Sequence, residues 1–240
     1  MPPARGRRWS TRRPTRETRL ELIARVADAY GLVLALVFAT FVVTITLPPH
    51  GWGGRVAAVA VTATTAVIGL TSSDVRLARV RHAVIAGIVA TLCAVAGRAL
   101  DSPAASAVAF VIDALLLTIT AGTILRRVIL AADVDFRTIL GSISVFTMLG
   151  LLFGYAYLAL GRADGDAVFA GVAHASAQQY LFFSYTTLTT TGYGNLVPSG
   201  QIGQILAVLE MLSGQIFLVT LVAGLVSLWR PASRRREDER

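Results

Sequence analysis

Long apolar runs that alternate with short polar segments are the dominant pattern of this chain. Six such runs occur, at 27–47, 56–70, 82–95, 104–129, 139–160 and 202–228. A helix needs about 20 apolar residues to cross a bilayer, and somewhat fewer where its ends snorkel or the bilayer thins. The pattern therefore predicts an all-α membrane protein with six transmembrane helices, of which the second is short and the third ends at residue 95 or a little beyond.

The segment between the fifth and sixth runs follows a different pattern. Residues 175–188 are apolar and aromatic with serine and threonine towards their end, and residues 189–198 are polar and contain two glycines. This order predicts a short re-entrant helix followed by an extended return to the same side of the membrane. Non-helical backbone at membrane depth is tolerated only where it is buried in protein or lines a water-filled path.

Composition supports a membrane location and narrows the choice of partners. Hydrophobic residues make up 55% of the 240 residues and charged residues 15%, which is far from the soluble average. All basic residues other than histidine are arginine, and the formal net charge is +8. On so hydrophobic a chain this charge indicates anionic lipid headgroups rather than nucleic acid. The single cysteine, Cys93, predicts neither a disulfide nor a metal site.

The arginines are distributed unequally over the predicted loops, and this orients the chain. With the N-terminus inside, only Arg55, Arg98 and Arg162 lie in outer loops. We therefore expect a multi-pass plasma-membrane protein with both termini in the cytoplasm. The predicted parts are a basic tail (1–25), a four-helix transmembrane domain (26–131), a domain built around the re-entrant segment (132–229) and a short tail (230–240).

The polar loop carries the candidate chemistry of the chain. Stripping water from a cation is costly, and a row of inward-facing carbonyl oxygens offsets that cost. Consecutive carbonyls along a narrow axis push alternate residues towards positive φ, which glycine adopts most readily. Gly192 and Gly194 around Tyr193 meet this need, while Thr190 offers a carbonyl and a hydroxyl and Thr191 a further carbonyl.

These residues also carry a family resemblance. Thr190-Thr191-Gly192-Tyr193-Gly194, after an aromatic helix rich in serine and threonine, resembles the pore loop of potassium channels. The resemblance continues into the last apolar run, where Gly214 falls at the inner-helix glycine of bacterial potassium channels. It implies a homotetramer that conducts K⁺, with the permeant ion held by the carbonyls of Thr190 to Gly194 and by the Thr190 hydroxyl. No catalytic chemistry is implied. Glycine weakens a helix by about 1 kcal/mol relative to alanine, so Gly214 is predicted to be a gating hinge, and close helix packing is the alternative.

The chain departs from that family at the residues that support the filter. Thr191 stands where many members have valine, Asn195 where most have aspartate, and Thr186 where many have a carboxylate in the pore helix. We therefore expect Thr186, Thr187 and Asn195 to support the filter differently. Glu210, about nine residues into the sixth run, is predicted to replace the missing carboxylate in part, by accepting hydrogen bonds from hydroxyls such as those of Tyr185 or Thr186. A protonated, purely structural Glu210 is the alternative.

The six predicted spans also resemble the layout of voltage-gated cation channels, whose fourth span carries the voltage-sensing arginines. A voltage sensor needs several charges, since each is worth only about 2.3 kcal/mol per 100 mV. Residues 104–125 contain no arginine and one ionisable residue, Asp113. The gating-charge ladder is absent, so voltage gating of the usual kind is not expected. No partner for Asp113 is evident from the sequence.

Three other functions compete with the potassium channel. A weakly selective cation channel is motivated by Thr191 and Asn195. A subunit of a potassium-uptake transporter is disfavoured, because such families carry four filter-like loops in one long chain and this chain has one. A structural membrane subunit with a vestigial filter would explain the spans, although the intact loop residues speak against it.

Overall fold

The helices follow the apolar runs. The computed structural model describes residues 31–43, 46, 52–71, 77–130, 136–163 and 168–228. Seven helices lie in these ranges, and no strand does: α1 Gly31–Val43, α2 Trp52–Thr71, α3 Leu77–Ala99, α4 Pro103–Ile129, α5 Phe136–Ala163, α6 Ala177–Leu188 and α7 Gln201–Leu228. The predicted tails, 1–25 and 230–240, lie outside the described residues.

Four of these helices are long and apolar enough to cross a membrane, so the chain is a multi-pass membrane protein. The candidate spans are Val80–Gly97 in α3, Pro103–Ile129 in α4, Thr138–Ala163 in α5 and Gln201–Leu221 in α7. The two apolar helices before them, Gly31–Val43 and Val56–Thr71, are shorter than a span. The prediction of helices in the last four runs is confirmed, whereas the count of six spans stays a prediction.

Local sequence explains how the chain turns between α3 and α4. Asp101 has a φ of 45°, in the left-handed region that aspartate tolerates better than most residues. Ser102 then caps α4, since its hydroxyl accepts a hydrogen bond from the Ala105 amide at 3.3 Å. Pro103 at the first helical position has no amide hydrogen to lose there. The result is a tight connection that sets α3 against α4.

Small residues let helices α2, α3 and α4, which we call the front helices, approach one another closely. A Cβ atom on Gly69 of α2 would lie 2.5 Å from the Thr120 methyl group of α4, and one on Gly87 of α3 would lie 2.8 Å from Ala63 of α2. Close approach at small residues is the usual basis of helix packing in lipid, where apolar burial alone gives little preference. Helices α2, α3 and α4 therefore form one packed group.

Helix α5 joins this group to the rest of the chain. It packs against α4 on one side and against α6 and α7 on the other. The short helix α6 contacts both α5 and α7, and its buried residues include Tyr180, Leu181 and Ser184. The re-entrant segment is thus held between the two long helices that flank it in the sequence.

Candidate functional site

The re-entrant helix α6 begins at a capping box. The Ser176 hydroxyl accepts from the Gln179 amide at 3.3 Å, and the Gln179 side chain accepts from the Ser176 amide at 2.8 Å. This pair satisfies amide groups that the first turn of a helix leaves without partners. The helix predicted at 175–188 is confirmed, with its first helical residue at Ala177.

The segments before and after α6 are paired, so the chain returns to its starting side. The Ala170 amide donates to the Val197 carbonyl and the Ser199 amide to the Val168 carbonyl, each at 2.9 Å. Between these pairs, α6 descends and residues 189–195 ascend. We call residues 189–195 the filter loop.

Every second residue from Thr190 to Gly194 has a positive φ, so left-handed and other backbone conformations alternate along the filter loop. Positive φ occurs at Thr190 (56°), Gly192 (51°) and Gly194 (77°), with one residue between each pair. The two glycines have the conformation predicted for them. Thr190 was not expected to share it, and a threonine in the left-handed region is strained, at a cost of about 1–3 kcal/mol. Its neighbours must hold it there.

The end of α6 supplies that hold through backbone carbonyls. The Thr191 and Gly192 amides both donate to the Thr186 carbonyl, at 2.8 and 3.1 Å, and the Thr190 amide donates to the Thr187 carbonyl at 3.0 Å. These are carbonyls that the last turn of a helix leaves available. Thr186 and Thr187 therefore anchor the loop by their main chains, while the Thr186 hydroxyl donates to the Phe183 carbonyl at 3.0 Å.

A second link between the loop and α6 runs through hydroxyl groups. The Thr189 hydroxyl donates to the Tyr185 carbonyl at 2.7 Å and lies 2.8 Å from the Thr191 hydroxyl. Because Thr189 has one hydroxyl hydrogen and it goes to Tyr185, Thr191 is the donor in the second bond. A valine at position 191 could not form this bond. Thr189 was not singled out from the sequence, since threonine repeats obscure which hydroxyl faces which.

The outer part of the loop lies on the surface of the chain. The Tyr193 ring stacks on Phe182 of α6, with ring centres 5.6 Å apart, yet Tyr193 remains 70% exposed. All residues from Thr189 to Asn195 are exposed. A single chain therefore presents the loop at its surface rather than enclosing it.

Glu210 of α7 is fully buried behind α6. Its carboxyl group accepts from the Tyr157 hydroxyl of α5 at 2.9 Å and shares a hydrogen bond of 2.5 Å with the Ser184 hydroxyl of α6. Ser184 also lies 2.7 Å from the Gly150 carbonyl of α5. One carboxyl thus connects the three helices around the loop.

The predicted hydroxyl partners of Glu210 were wrong. The Tyr185 hydroxyl donates to the Thr147 carbonyl of α5 at 2.8 Å, and the Thr186 hydroxyl stays within α6. The rotation of α6 about its axis points Ser184 towards α7 and Tyr185 towards α5. Tyr157 was a recognisable candidate, because a tyrosine inside a span needs a partner for its hydroxyl.

Gly214 brings the backbone of α7 against the end of α6. A Cβ atom at this position would overlap the Leu188 carbonyl oxygen. Glu210 and Gly214 are four residues apart, as are Ser184 and Leu188, so the two helices meet in register over one turn. Close packing accounts for this glycine, and the hinge stays a prediction.

Residues 143–230 match the model of a protein family described as Ion channel. No curated protein matches the chain. The matched residues contain most of α5, all of α6, the filter loop and α7. The geometry around the loop and this match together indicate an ion channel domain in the C-terminal part of this membrane protein.

Proposed function

We propose that the protein is a potassium-selective channel that conducts dehydrated K⁺ down its gradient. The observation that carries this proposal is the alternating positive φ of Thr190, Gly192 and Gly194 in a loop held by the end of α6. Such a backbone offers successive carbonyl oxygens to one axis, where they replace the hydration shell of the ion. The carbonyls of Thr190 to Gly194 and the Thr190 hydroxyl form the ion sites.

The supporting residues keep those oxygens in place. Two amides of the loop share the Thr186 carbonyl, and the Thr191 hydroxyl is tied to Thr189. Behind the loop, the Glu210 carboxyl holds α6 to α5 and α7. The carboxyl-terminal end of α6 carries partial negative charge and adds to the attraction of a cation near Leu188.

A ring of carbonyls requires several copies of the chain, and we propose a homotetramer. Each chain contributes one loop, and all of its residues from Thr189 to Asn195 are exposed. Helix α7 also exposes large apolar side chains, among them Leu212 (53%) and Ile216 (64%). Four loops around one axis complete the sites, and neighbouring copies or lipid cover the apolar faces.

The arginine distribution extends the proposal to the membrane. Both termini lie in the cytoplasm of the cell, the outer end of the loop faces outside, and the basic tails contact anionic lipids of the plasma membrane. The described part of α4 carries no ladder of arginines, so the gating stimulus is not voltage in the usual way.

The reversal potential in planar bilayers, with K⁺ on one side and Na⁺ on the other, tests selectivity. We expect reversal near the K⁺ equilibrium potential. Reversal near zero would instead favour the weakly selective channel suggested by Thr191 and Asn195. An absence of current at every voltage and pH would favour the structural subunit.

A pair of glycine variants tests whether K⁺ selectivity depends on the backbone of the filter loop or is lost with backbone strain elsewhere. Gly192 and Gly171 both have positive φ, 51° and 74°, and a Cβ atom at either would meet open space. Gly192→Ala is expected to abolish or degrade K⁺ selectivity, because the strain falls on the carbonyl row. Gly171→Ala carries similar strain outside the loop and should leave the reversal potential unchanged.

A further inference from the structure

Asp113 is a buried acid that the proposed conduction path does not use. It lies in the apolar span of α4, its side chain is 0% exposed, and neither carboxyl oxygen has a hydrogen-bond partner among the described residues. Within a membrane, ionisable groups are rare because they are costly, and those that occur are usually functional.

Asp113 lies where the front helices meet the ion channel domain. Phe110, three residues earlier on the buried side of α4, stacks on Tyr155 of α5 with ring centres 5.8 Å apart. The Tyr155 hydroxyl is in turn bonded to Thr62 of α2 at 2.7 Å. Helices α2, α4 and α5 therefore converge here, and α5 is the helix through which α4 contacts the domain that contains the filter loop.

The buried hydroxyls of Thr62, Thr65, Thr120 and Tyr155 have no hydrogen available for a carboxylate. Thr62 donates its hydrogen to the Ala58 carbonyl at 2.9 Å, so Tyr155 must be the donor in their shared bond and has no second hydrogen to offer. The buried hydroxyls of Thr65 and Thr120 donate to carbonyls of their own helices, each at 2.8 Å. Each of these four hydroxyl groups therefore already donates its hydrogen to another acceptor.

Among the side chains that the structure describes in the helices packed against α4, none that lies at this depth is basic. Between Val56 and Thr71, α2 has no titratable residue. The span of α3 has the exposed residues Arg81 and His82 near its beginning and Cys93 further along, and α5 contributes Tyr155 and Tyr157. Basic residues of these helices lie at or near helix ends, and Arg126 of α4 is thirteen residues, or about 20 Å, from Asp113. An ionised Asp113 would be buried without compensation, which costs far more than burying a neutral acid.

From this arrangement we propose that Asp113 is a proton-binding site that couples the packing of the front helices against α5 to proton concentration. With the proton bound, the neutral acid fits the packed contact. Releasing the proton to water leaves a carboxylate that requires hydration, so the contact between α4 and α5 must loosen. Acid conditions favour the packed arrangement, and raising the pH favours the loosened one.

Infrared spectroscopy of the full chain in liposomes tests the protonation directly and needs no current. At neutral pH the wild-type protein is expected to show the carbonyl band of a protonated carboxylic acid that Asp113→Asn lacks. Glu210→Gln and Asp101→Asn are controls for a second buried acid and for an exposed one, and neither should remove that band. If Asp113→Asn instead removes a carboxylate band, the proposal is overturned.

The coupling to the pore, which rests on the proposed function, is tested by open probability across pH. Asp113→Asn is permanently neutral, so it should hold at every pH the value that the wild type shows in acid. Asp101→Asn is the matched control, because asparagine also tolerates a φ of 45°; it should respond to pH as the wild type does. A pH response that survives in Asp113→Asn would contradict the coupling. Loss of all current in the wild type would count against the proposed channel, while the infrared result would still decide the proton site.

Discussion

At the scale of single residues, one carboxyl group connects the helices around the filter loop. Glu210 accepts from Tyr157 of α5, shares a hydrogen bond with Ser184 of α6, and is fully buried. Buried polar groups stabilise a fold when they are satisfied and destabilise it when one partner is removed. The arrangement therefore makes the position of α6 depend on an acceptor at residue 210.

Removing that acceptor should loosen α6. Glu210→Ala leaves the Tyr157 hydroxyl without its acceptor and opens a cavity, so we expect a loss of at least about 1–3 kcal/mol in stability. Glu210→Gln keeps the volume and one acceptor oxygen, and the loss should be smaller. Thermal unfolding of the purified variants measures both. Equal melting temperatures for the wild type and the alanine variant would rule out a supporting role.

At the scale of elements, α7 presents a narrow buried stripe and two exposed flanks. Gly203, Ala207, Glu210 and Gly214 face the rest of the chain, at intervals that suit one side of a helix. The small residues permit contact with α6 and the segment before it. Most of the remaining surface of α7 is available to other copies, lipid or an ion path.

Alanine substitutions at two glycines of α7 test whether Gly214 serves close helix packing or a hinge. A Cβ atom at Gly214 would overlap the Leu188 carbonyl, whereas one at Gly224 would meet nothing within 4 Å. Gly214→Ala should therefore destabilise the protein by about 1–3 kcal/mol through overpacking. Gly224→Ala should be neutral or stabilising by up to about 1 kcal/mol, because alanine favours helix. Thermal unfolding compares them. Unchanged stability in Gly214→Ala would leave the hinge as the better account of that glycine.

An exposed glutamine of α7 predicts the side of this helix that faces the ion path. Gln215 is exposed and lies beside Gly214, at the level where α6 ends. Leu212 and Ile216 are exposed apolar residues further around the same helix. A threonine can face lipid, because its hydroxyl can donate to the carbonyl one turn back in the same helix, as the hydroxyls of Thr118 and Thr147 do. A glutamine has two donors and an acceptor, which one carbonyl cannot satisfy, so Gln215 is expected to face water.

Cysteine labelling tests this assignment. In a Cys93→Ala background, Gln215→Cys should react with a membrane-impermeant charged thiol reagent several-fold faster than Ile216→Cys, as measured by mass spectrometry of the protein in liposomes. The two positions are adjacent on one helix, so each controls for the other. Faster labelling at position 216 would place the ion path on the side of α7 that carries Ile216.

At the scale of the whole molecule, the exposed loop and the apolar flanks of α7 are consistent with an assembly around a shared axis. Most of the buried core lies along α4, α5 and α6, whereas the surface that carries the loop is left open. The front helices attach to the ion channel domain through α5. A change in the front helices can therefore reach the loop through that helix.

The assembly prediction is a complex of four chains of 25.4 kDa each. Native mass spectrometry of the detergent-solubilised protein should detect this mass, and Gly171→Ala should retain it, because that residue lies outside the loop. A stable monomer or dimer as the main species would contradict the carbonyl ring, since fewer loops cannot surround an ion.

Structural features that depend only on residues close together in the chain could be predicted from the sequence. Apolar content predicted the helices of the last four runs and the short helix before the loop, because burial in lipid depends on the composition of each segment. Gly192 and Gly194 were expected to have positive φ, since glycine adopts it without a steric penalty. The same reasoning missed Thr190, whose φ of 56° is imposed by the amides around it that are bound to the end of α6.

Relations between helices were decided by the tertiary structure. A buried carboxyl at 210 was foreseeable from its place in an apolar run, but its partners depend on how α6 is rotated, which placed Ser184 rather than Tyr185 beside it. Two further features likewise arise from packing between segments distant in the chain. They are the contact of Gly214 with Leu188 and the lack of a hydrogen-bond partner for Asp113 within the described ranges. Hydrophobicity and backbone preference are local properties that the sequence determines, whereas helix rotation and register minimise the energy of the whole packed arrangement.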